Sequence, residues 1–220
     1  GWSPFDLVGP VERITGLPVR AENIANSLAL AEMSVGMVKS LTNVVVIRAA
    51  TQIGASIIQG GHIVRGESLK AGRVGHLKYK KTALQCFCGH DDCLNCSASG
   101  WSLLYALGLA RERRYTPERV SEYAVALEDI CRHVANSERE QERRTRALRK
   151  SGAALASGLH SLCLILEPEA IVVDGPLSRA PEYVEGISRQ LQRMGESGQE
   201  TLSKLKRGEI RAVQAAAILA

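Results

Sequence analysis

The stretch HLKYKKTALQCFCGHDDCLNC sets an imidazole and three thiols in the order His-x9-Cys-x-Cys-x4-Cys, at His76, Cys86, Cys88 and Cys93. Ligands of this type and number satisfy the tetrahedral preference of Zn2+, and a closed set of four leaves no position for water. The chemistry implied is structural: the ion holds a loop. On spacing alone Cys96 or His90 can replace His76 as the fourth ligand. Cys131 and Cys163 lie in apolar runs away from the cluster and read as small buried hydrophobes. Four cysteines within eleven residues around a Gly-His-Asp-Asp turn do not fit that description, so zinc is the expected cofactor.

The elements that must hold this loop are legible on both sides of it. Residues 6–15 predict a short amphipathic helix ended by Gly16 and Pro18. A strand over 18–21 then leads into a helix over 23–39, with Ile24, Leu28, Ala31 and Val35 as its buried stripe. Residues 43–49, NVVVIRA, are β-branched throughout, as befits a strand buried on both faces. A turn at 50–53, a strand over 54–58 and a hairpin in QGGHIVRG complete a meander that feeds AGRVGH and the metal loop. Beyond the loop a helix is expected over 98–113. Thr116 then caps another, with Pro117 in its first position and Val120, Ala124, Leu127, Cys131 and Val134 on one face. The alternating charges of EREQERRTRALRK read as the solvated face of a helix that runs on to Pro168. EAIVVDG is a short buried strand ending in a Gly turn, and helices follow in PEYVEGISRQLQRM and IRAVQAAAILA. Helix, buried strand, Gly turn and helix in that order predict an α/β fold.

Composition bounds the function. The 220 residues suffice for a sizeable core, and 45% hydrophobic content with 7 prolines is ordinary for a globular chain. A net charge of +5 spread along the chain does not indicate nucleic-acid binding by this chain alone. No run of 18 apolar residues occurs, and GWSPFDLVGPVE lacks the order of a signal peptide; the expectation is a cytoplasmic protein with reduced thiols and no membrane association.

PVRAENIANSLALAE, VVVIRAATQIGASIIQGGHIVRG, AGRVGH, CFCGHDDCLN, ASG and EPEAIVVDGPLS, in this order and spacing, resemble the ROK family of bacterial sugar kinases and sugar-responsive transcriptional repressors. The resemblance covers nearly the whole chain. It implies an actin-like ATPase (ribonuclease-H-like) fold, mostly its C-terminal lobe, as one domain over 1–220 with a zinc loop at 76–96. It also ranks His76 above Cys96, because in the family the equivalent His joins the three cysteines on zinc. Asp92 stands where the family usually has Gly.

Departures from the family pattern shape the functional expectation. The family's kinases place an Asp general base after Asn, whereas this chain has Asn23-Ile24, and isoleucine accepts no proton. The phosphate loop Gly-Thr-Gly-Ile-Gly is here Ala50-Thr51-Gln52-Ile53-Gly54, with side chains where backbone should approach phosphate. Arg73 and Asn95 occupy positions where the family offers Glu to sugar hydroxyls. A guanidinium in place of a carboxylate reverses the polarity of that site. The expected ligand-binding residues are therefore Asn23, Arg73, His76 and Asn95, with a sugar or anionic sugar derivative as ligand. The alternative for Arg73 is a structural salt bridge.

The Asp-x-Gly-Gly-Thr loop of the kinases and the helix-turn-helix domain of the repressors do not occur in this sequence, and the expectation is either the back half of a longer protein or a degenerate relative. The expectation is an effector-binding and oligomerisation region of a ROK-type regulator, a homodimer or homotetramer that meets DNA only through an upstream domain, and not an enzyme. A sugar kinase and a zinc-stabilised remnant without a ligand are the other readings.

Overall fold

The computed structural model describes residues 6–132 and 137–219. A five-stranded mixed sheet lies between two helical layers, in the order β3-β2-β1-β4-β5. Helices α1 (Val8–Thr15) and α2 (Ile24–Ser34) precede β1 (Val44–Ala49), β2 (Ile53–Gln59) and β3 (His62–Ile63). The metal loop leads to α3 (Asn95–Ala98), α4 (Gly100–Ala106) and α5 (Val120–Arg132), then to the long α6 (Glu138–Leu166). The chain closes with β4 (Ala170–Asp174), α7 (Pro181–Arg193), α8 (Glu196–Ser203), β5 (Leu205–Arg207) and α9 (Ala212–Leu219).

β1 pairs antiparallel with β2 and parallel with β4, so it is central and covered on both faces. Its alternation divides the core in two. Val45 and Ile47 join Leu155, Leu159, Tyr183 and Ile187 on one side. Val44 and Val46 join Leu28, Ala29 and Ala215 on the other. Strand β4 repeats the division, with Ile171 and Val173 facing one layer and Ala170 and Val172 facing the other. A period of two makes one continuous apolar run serve two layers. Close approach of α6 to α7 depends on two glycines: a Cβ at Gly152 would lie 2.0 Å from the Tyr183 carbonyl oxygen, and one at Gly186 would lie 2.2 Å from that of Arg149.

Several expectations need correction. Residues 18–21 form no strand; they are largely exposed and join no sheet, and Pro18 lacks the N–H that a ladder needs. The helix expected over 23–39 ends at Ser34. Its buried face is Ala25, Leu28, Ala29, Ala31 and Glu32, whereas Ile24 is 47% and Val35 62% exposed. The helix expected over 98–113 stops at Ala106, where Gly108 takes a positive φ of 72° and residues 109–116 form no helix. Thr116 makes no side-chain cap, and Pro117 instead opens a 3-10 turn before α5. On α5 Leu127 is buried but Val120 is 40% exposed, and Val134 lies outside the described residues. The charged stretch is the largely exposed start of α6, interrupted by Arg144 and Leu148, which point inward. Helix α8 and strand β5 carried no sequence signal strong enough to be expected. No helix of the described residues is long and apolar enough to cross a membrane.

Candidate metal centre and adjoining cleft

The metal loop is folded by its own backbone. Lys78 pairs with Cys93 in an antiparallel bridge, the Tyr79 amide donates to the Asp92 carbonyl at 2.8 Å, and the Leu94 amide to the Leu77 carbonyl at 2.8 Å. Between Cys86 and His90 the chain reverses tightly: the Gly89 amide donates to the Cys86 carbonyl at 2.8 Å, and Gly89 takes φ 95°, a region open to glycine. Asp92 needs no positive φ, and its carboxylate meets Lys78 Nζ at 2.5 Å, which explains how an Asp fits this turn.

These contacts gather His76, Cys86, Cys88 and Cys93 so that one donor atom from each lies within 4.8 Å of the others. His76 Nδ1 is 3.5 Å from Cys86 Sγ and 3.9 Å from Cys93 Sγ, and Cys88 Sγ is 3.4 Å from Cys93 Sγ. A tetrahedron with metal–sulfur bonds of about 2.3 Å has edges of roughly 3.7 Å, close to these separations, so the set could hold a metal ion. The two alternative ligands stand outside it. His90 Nδ1 approaches Cys88 at 3.5 Å, and Cys96 Sγ borders the set, beside Cys86 and 4.0 Å from the His90 carbonyl, without joining the four gathered donors.

Charge in the cluster is unevenly shared. The Cys86 thiol is held far below its ordinary value, at about 3, first by the neighbouring Cys96 thiol and then by His76, against the opposing effect of burial. Burial, followed by Cys88, pushes the Cys93 thiol up, and Cys86 pushes Cys96 up. Among Cys86, Cys93 and Cys96 the protein by itself favours the thiolate at Cys86, and a divalent cation supplies the field that ionises further thiols.

A cleft of ≈ 310 Å³ opens beside this centre, between the start of α2 and the start of β2. Asn23 and Arg73 both line it; His76 and Asn95 do not. Asn23 caps α2, its Oδ1 accepting from the Ala25 amide at 2.8 Å. Arg73 is exposed, and no carboxylate of the described residues pairs with it. Asn95 is 1% exposed and turned inward, its Oδ1 accepting from the Ile53 amide at 2.8 Å. Ile24 stands in the cleft wall.

Sequence reasoning did not anticipate Arg48 and Lys70 in the same cleft, which Gln52 of the altered glycine loop also lines. The signal for Arg48 was a lone charge inside the apolar run VVVIRA; nothing marked Lys70. Burial lowers the Arg48 guanidinium from its ordinary value, while Asp174 opposes that effect. Asp174 ends β4 in a second cavity of ≈ 270 Å³, which Arg48 also lines. Gly175 follows at φ 99°, and a Cβ there would meet the Ala49 carbonyl oxygen at 2.5 Å. Burial raises the Asp174 carboxyl, and its Oδ2 has no hydrogen-bond partner.

Known proteins share this architecture. A family model described as ROK family matches residues 1–220. A glucokinase from Streptomyces coelicolor is 33% identical over 191 residues, covering 83% of this chain and 59% of its own length. A xylose repressor from Bacillus subtilis is 27% identical over 172 residues, which is 78% of this chain and 41% of the repressor. The crystal structure of a ROK hexokinase from Thermus thermophilus superposes with a TM-score of 0.67 at 26% identity, covering 97% of this chain and 71% of that one. The chain therefore spans little more than half the length of the glucokinase it matches. The expectation that it is no enzyme is corrected by these relatives: a glucokinase and a hexokinase stand among them, and they point to kinase activity. The five-stranded mixed sheet with helices on both faces is the actin-like ATPase fold of the ROK kinases. On the match over its whole length, the chain belongs to the ROK family.

Proposed function

We propose that this chain is the sugar-recognising part of a carbohydrate-handling ROK protein, with a structural Zn2+ on His76, Cys86, Cys88 and Cys93. The observation that carries the ligand reading is the cleft wall: Arg48, Lys70 and Arg73 line it beside Asn23 and Gln52, and no carboxylate does. Guanidinium groups present forked donors that match phosphate or carboxylate oxygens, and an amide accommodates hydroxyls. A sugar carrying an anionic group suits that wall better than its neutral parent.

Two readings of the whole protein follow. Phosphoryl transfer from ATP to a sugar is supported by the glucokinase and hexokinase relatives. Binding of the sugar derivative as the effector of a regulator is supported by the xylose repressor and by Ile24, an apolar residue in the cleft wall at the first position of α2. The zinc ion serves either reading by holding the loop that begins one residue after Gly75.

One experiment separates them. The protein is titrated with glucose, xylose and glucose 6-phosphate, while sugar-dependent ATP turnover is followed in parallel. Turnover that saturates with a sugar supports the kinase reading. Saturable binding without turnover supports the effector reading. Binding of none of the three, at millimolar concentration, counts against the cleft as a sugar site.

A further inference from the structure

Asn95 lies where the metal centre meets the turn that opens the cleft. It is two residues past Cys93, its Nδ2 is 4.0 Å from Cys86 Sγ, and its Oδ1 accepts from the Ile53 amide at 2.8 Å. The Ile53 amide is buried, and Asn95 supplies its acceptor. Gly75, one residue before His76, closes the same contact from the other side. A Cβ at Gly75 would fall 2.4 Å from the Ile53 carbonyl oxygen and 2.5 Å from Asn95 Nδ2. The residues flanking two metal ligands, together with the sulfur of a third, thus converge on one carboxamide and one peptide of the turn.

That peptide matters to the cleft. Gln52, Ile53 and Gly54 form part of its wall. The turn has further supports: the Gly100 amide donates to the Ala50 carbonyl at 2.8 Å and the Trp101 amide to the Thr51 carbonyl at 3.1 Å. Those two bonds come from α4 and fix the front of the turn. The bond at Ile53 comes from the segment that leaves the metal.

We propose that Asn95 is a positioning residue that transmits metal occupancy to the 52–54 wall of the cleft. The proposal rests on the reading that the four donors hold an ion. With the ion bound, Cys86 and Cys93 are fixed, the Asn95 carboxamide is fixed with them, and Ile53 N–H has its acceptor. Without the ion the loop relaxes, the carboxamide loses its place, and a buried donor is left unpaired. An unpaired buried donor shifts a local opening equilibrium by about tenfold or more.

Amide hydrogen exchange on the full chain tests this, read at peptides covering 50–55 and, as a control, at β4. Four proteins are compared: wild type, Cys88→Ser, which loses the metal by replacing an exposed ligand, Asn95→Ala, and the double variant. Metal content is measured on each. Wild type should show about tenfold faster exchange at 50–55 after chelation, with β4 unchanged, and Cys88→Ser should show the same without chelation. Asn95→Ala should keep its metal, exchange fast at 50–55 already, and gain nothing further from chelation or from Cys88→Ser, the non-additivity of a shared path. Unchanged exchange at 50–55 in stripped wild type overturns the proposal even if Asn95→Ala cannot be folded. So does a full chelation response in Asn95→Ala, or an equal rise across the whole chain including β4. Wild type that binds no metal sinks the metal reading instead, so the two failures are distinct.

Discussion

The sulfur atoms of Cys88 and Cys93 lie 3.4 Å apart as free thiols, with His76 Nδ1 3.9 Å from the second of them. That spacing is the edge of a metal–thiolate tetrahedron, and it leads to the first prediction. Protein purified without added metal should carry about one equivalent of zinc. Cys88→Ser should lose it and lower the melting temperature, because metal binding free energy becomes folding free energy. Cys96→Ser should keep it, since Cys96 meets Cys86 as a hydrogen-bonding neighbour and is not one of the four gathered donors. Metal lost by Cys96→Ser and retained by His76→Ala would show that the ligand set is wrong.

The metal set was legible because ligand chemistry is written in residue type and spacing, and the loop is short enough for spacing to decide contact. Strands β1 and β4 were legible for a similar reason: burial on both faces leaves only an apolar run. What escaped the sequence depends on contacts across the chain. Arg48 is a cleft residue only because β1 is central and its end meets both α2 and the β2 turn. Asn95 reads as a polar group available to a ligand, yet it is turned inward by Ile53, 42 residues away. Strand β5 exists because β4 offers it an open edge, which LKR does not announce.

Ile24 gives the second prediction. It is 47% exposed at the first residue of α2 and sits in the cleft wall. Ile24→Asp places a carboxylate at a helix N-terminus, where the dipole and the free amides favour it, so the variant should fold at least as well as wild type. If phosphoryl transfer takes place in this cleft, a positioned base contributes on the order of 100-fold or more. Sugar-dependent ATP turnover should therefore rise in Ile24→Asp. A coupled assay with glucose and xylose measures it, and no rise in a variant that still binds sugar would place the chemistry outside this cleft.

A third prediction concerns pH. Glu32 is fully buried, with Oε2 accepting from the Met37 amide at 3.0 Å and Oε1 unpartnered. Burial raises its carboxyl from the ordinary value, as it does that of Asp174, and the two charges oppose each other. A carboxyl raised in the folded state holds its proton longer there than in the unfolded chain. Stability contributed by the bound proton is therefore present at low pH and lost as pH rises from the ordinary carboxylate value through the raised one. Asp174→Asn and Glu32→Gln should each flatten that decline and stabilise at neutral pH by about 1–3 kcal/mol. Denaturant unfolding between pH 4 and pH 8, roughly the span over which such groups titrate, reads it. Equal slopes in wild type and both variants would show that neither carboxyl is the source.

The last prediction is for Arg73. It lines the cleft with Arg48 and Lys70, and among the described residues no carboxylate engages it, so the salt-bridge alternative finds no partner there. An exposed guanidinium that is already free does not have to break a pair before it meets a ligand. A charge-assisted, bidentate contact to phosphate or carboxylate contributes about 1.5–3 kcal/mol, roughly tenfold or more in affinity. Thermal shifts should therefore be larger for glucose 6-phosphate and gluconate than for glucose, and Arg73→Ala should remove most of that preference while leaving the weak response to glucose. The effect should also fall with added salt, because the site is open to solvent. Equal binding of glucose 6-phosphate by wild type and Arg73→Ala would exclude Arg73 as the reader, and Arg48 and Lys70 would then be the groups to replace next.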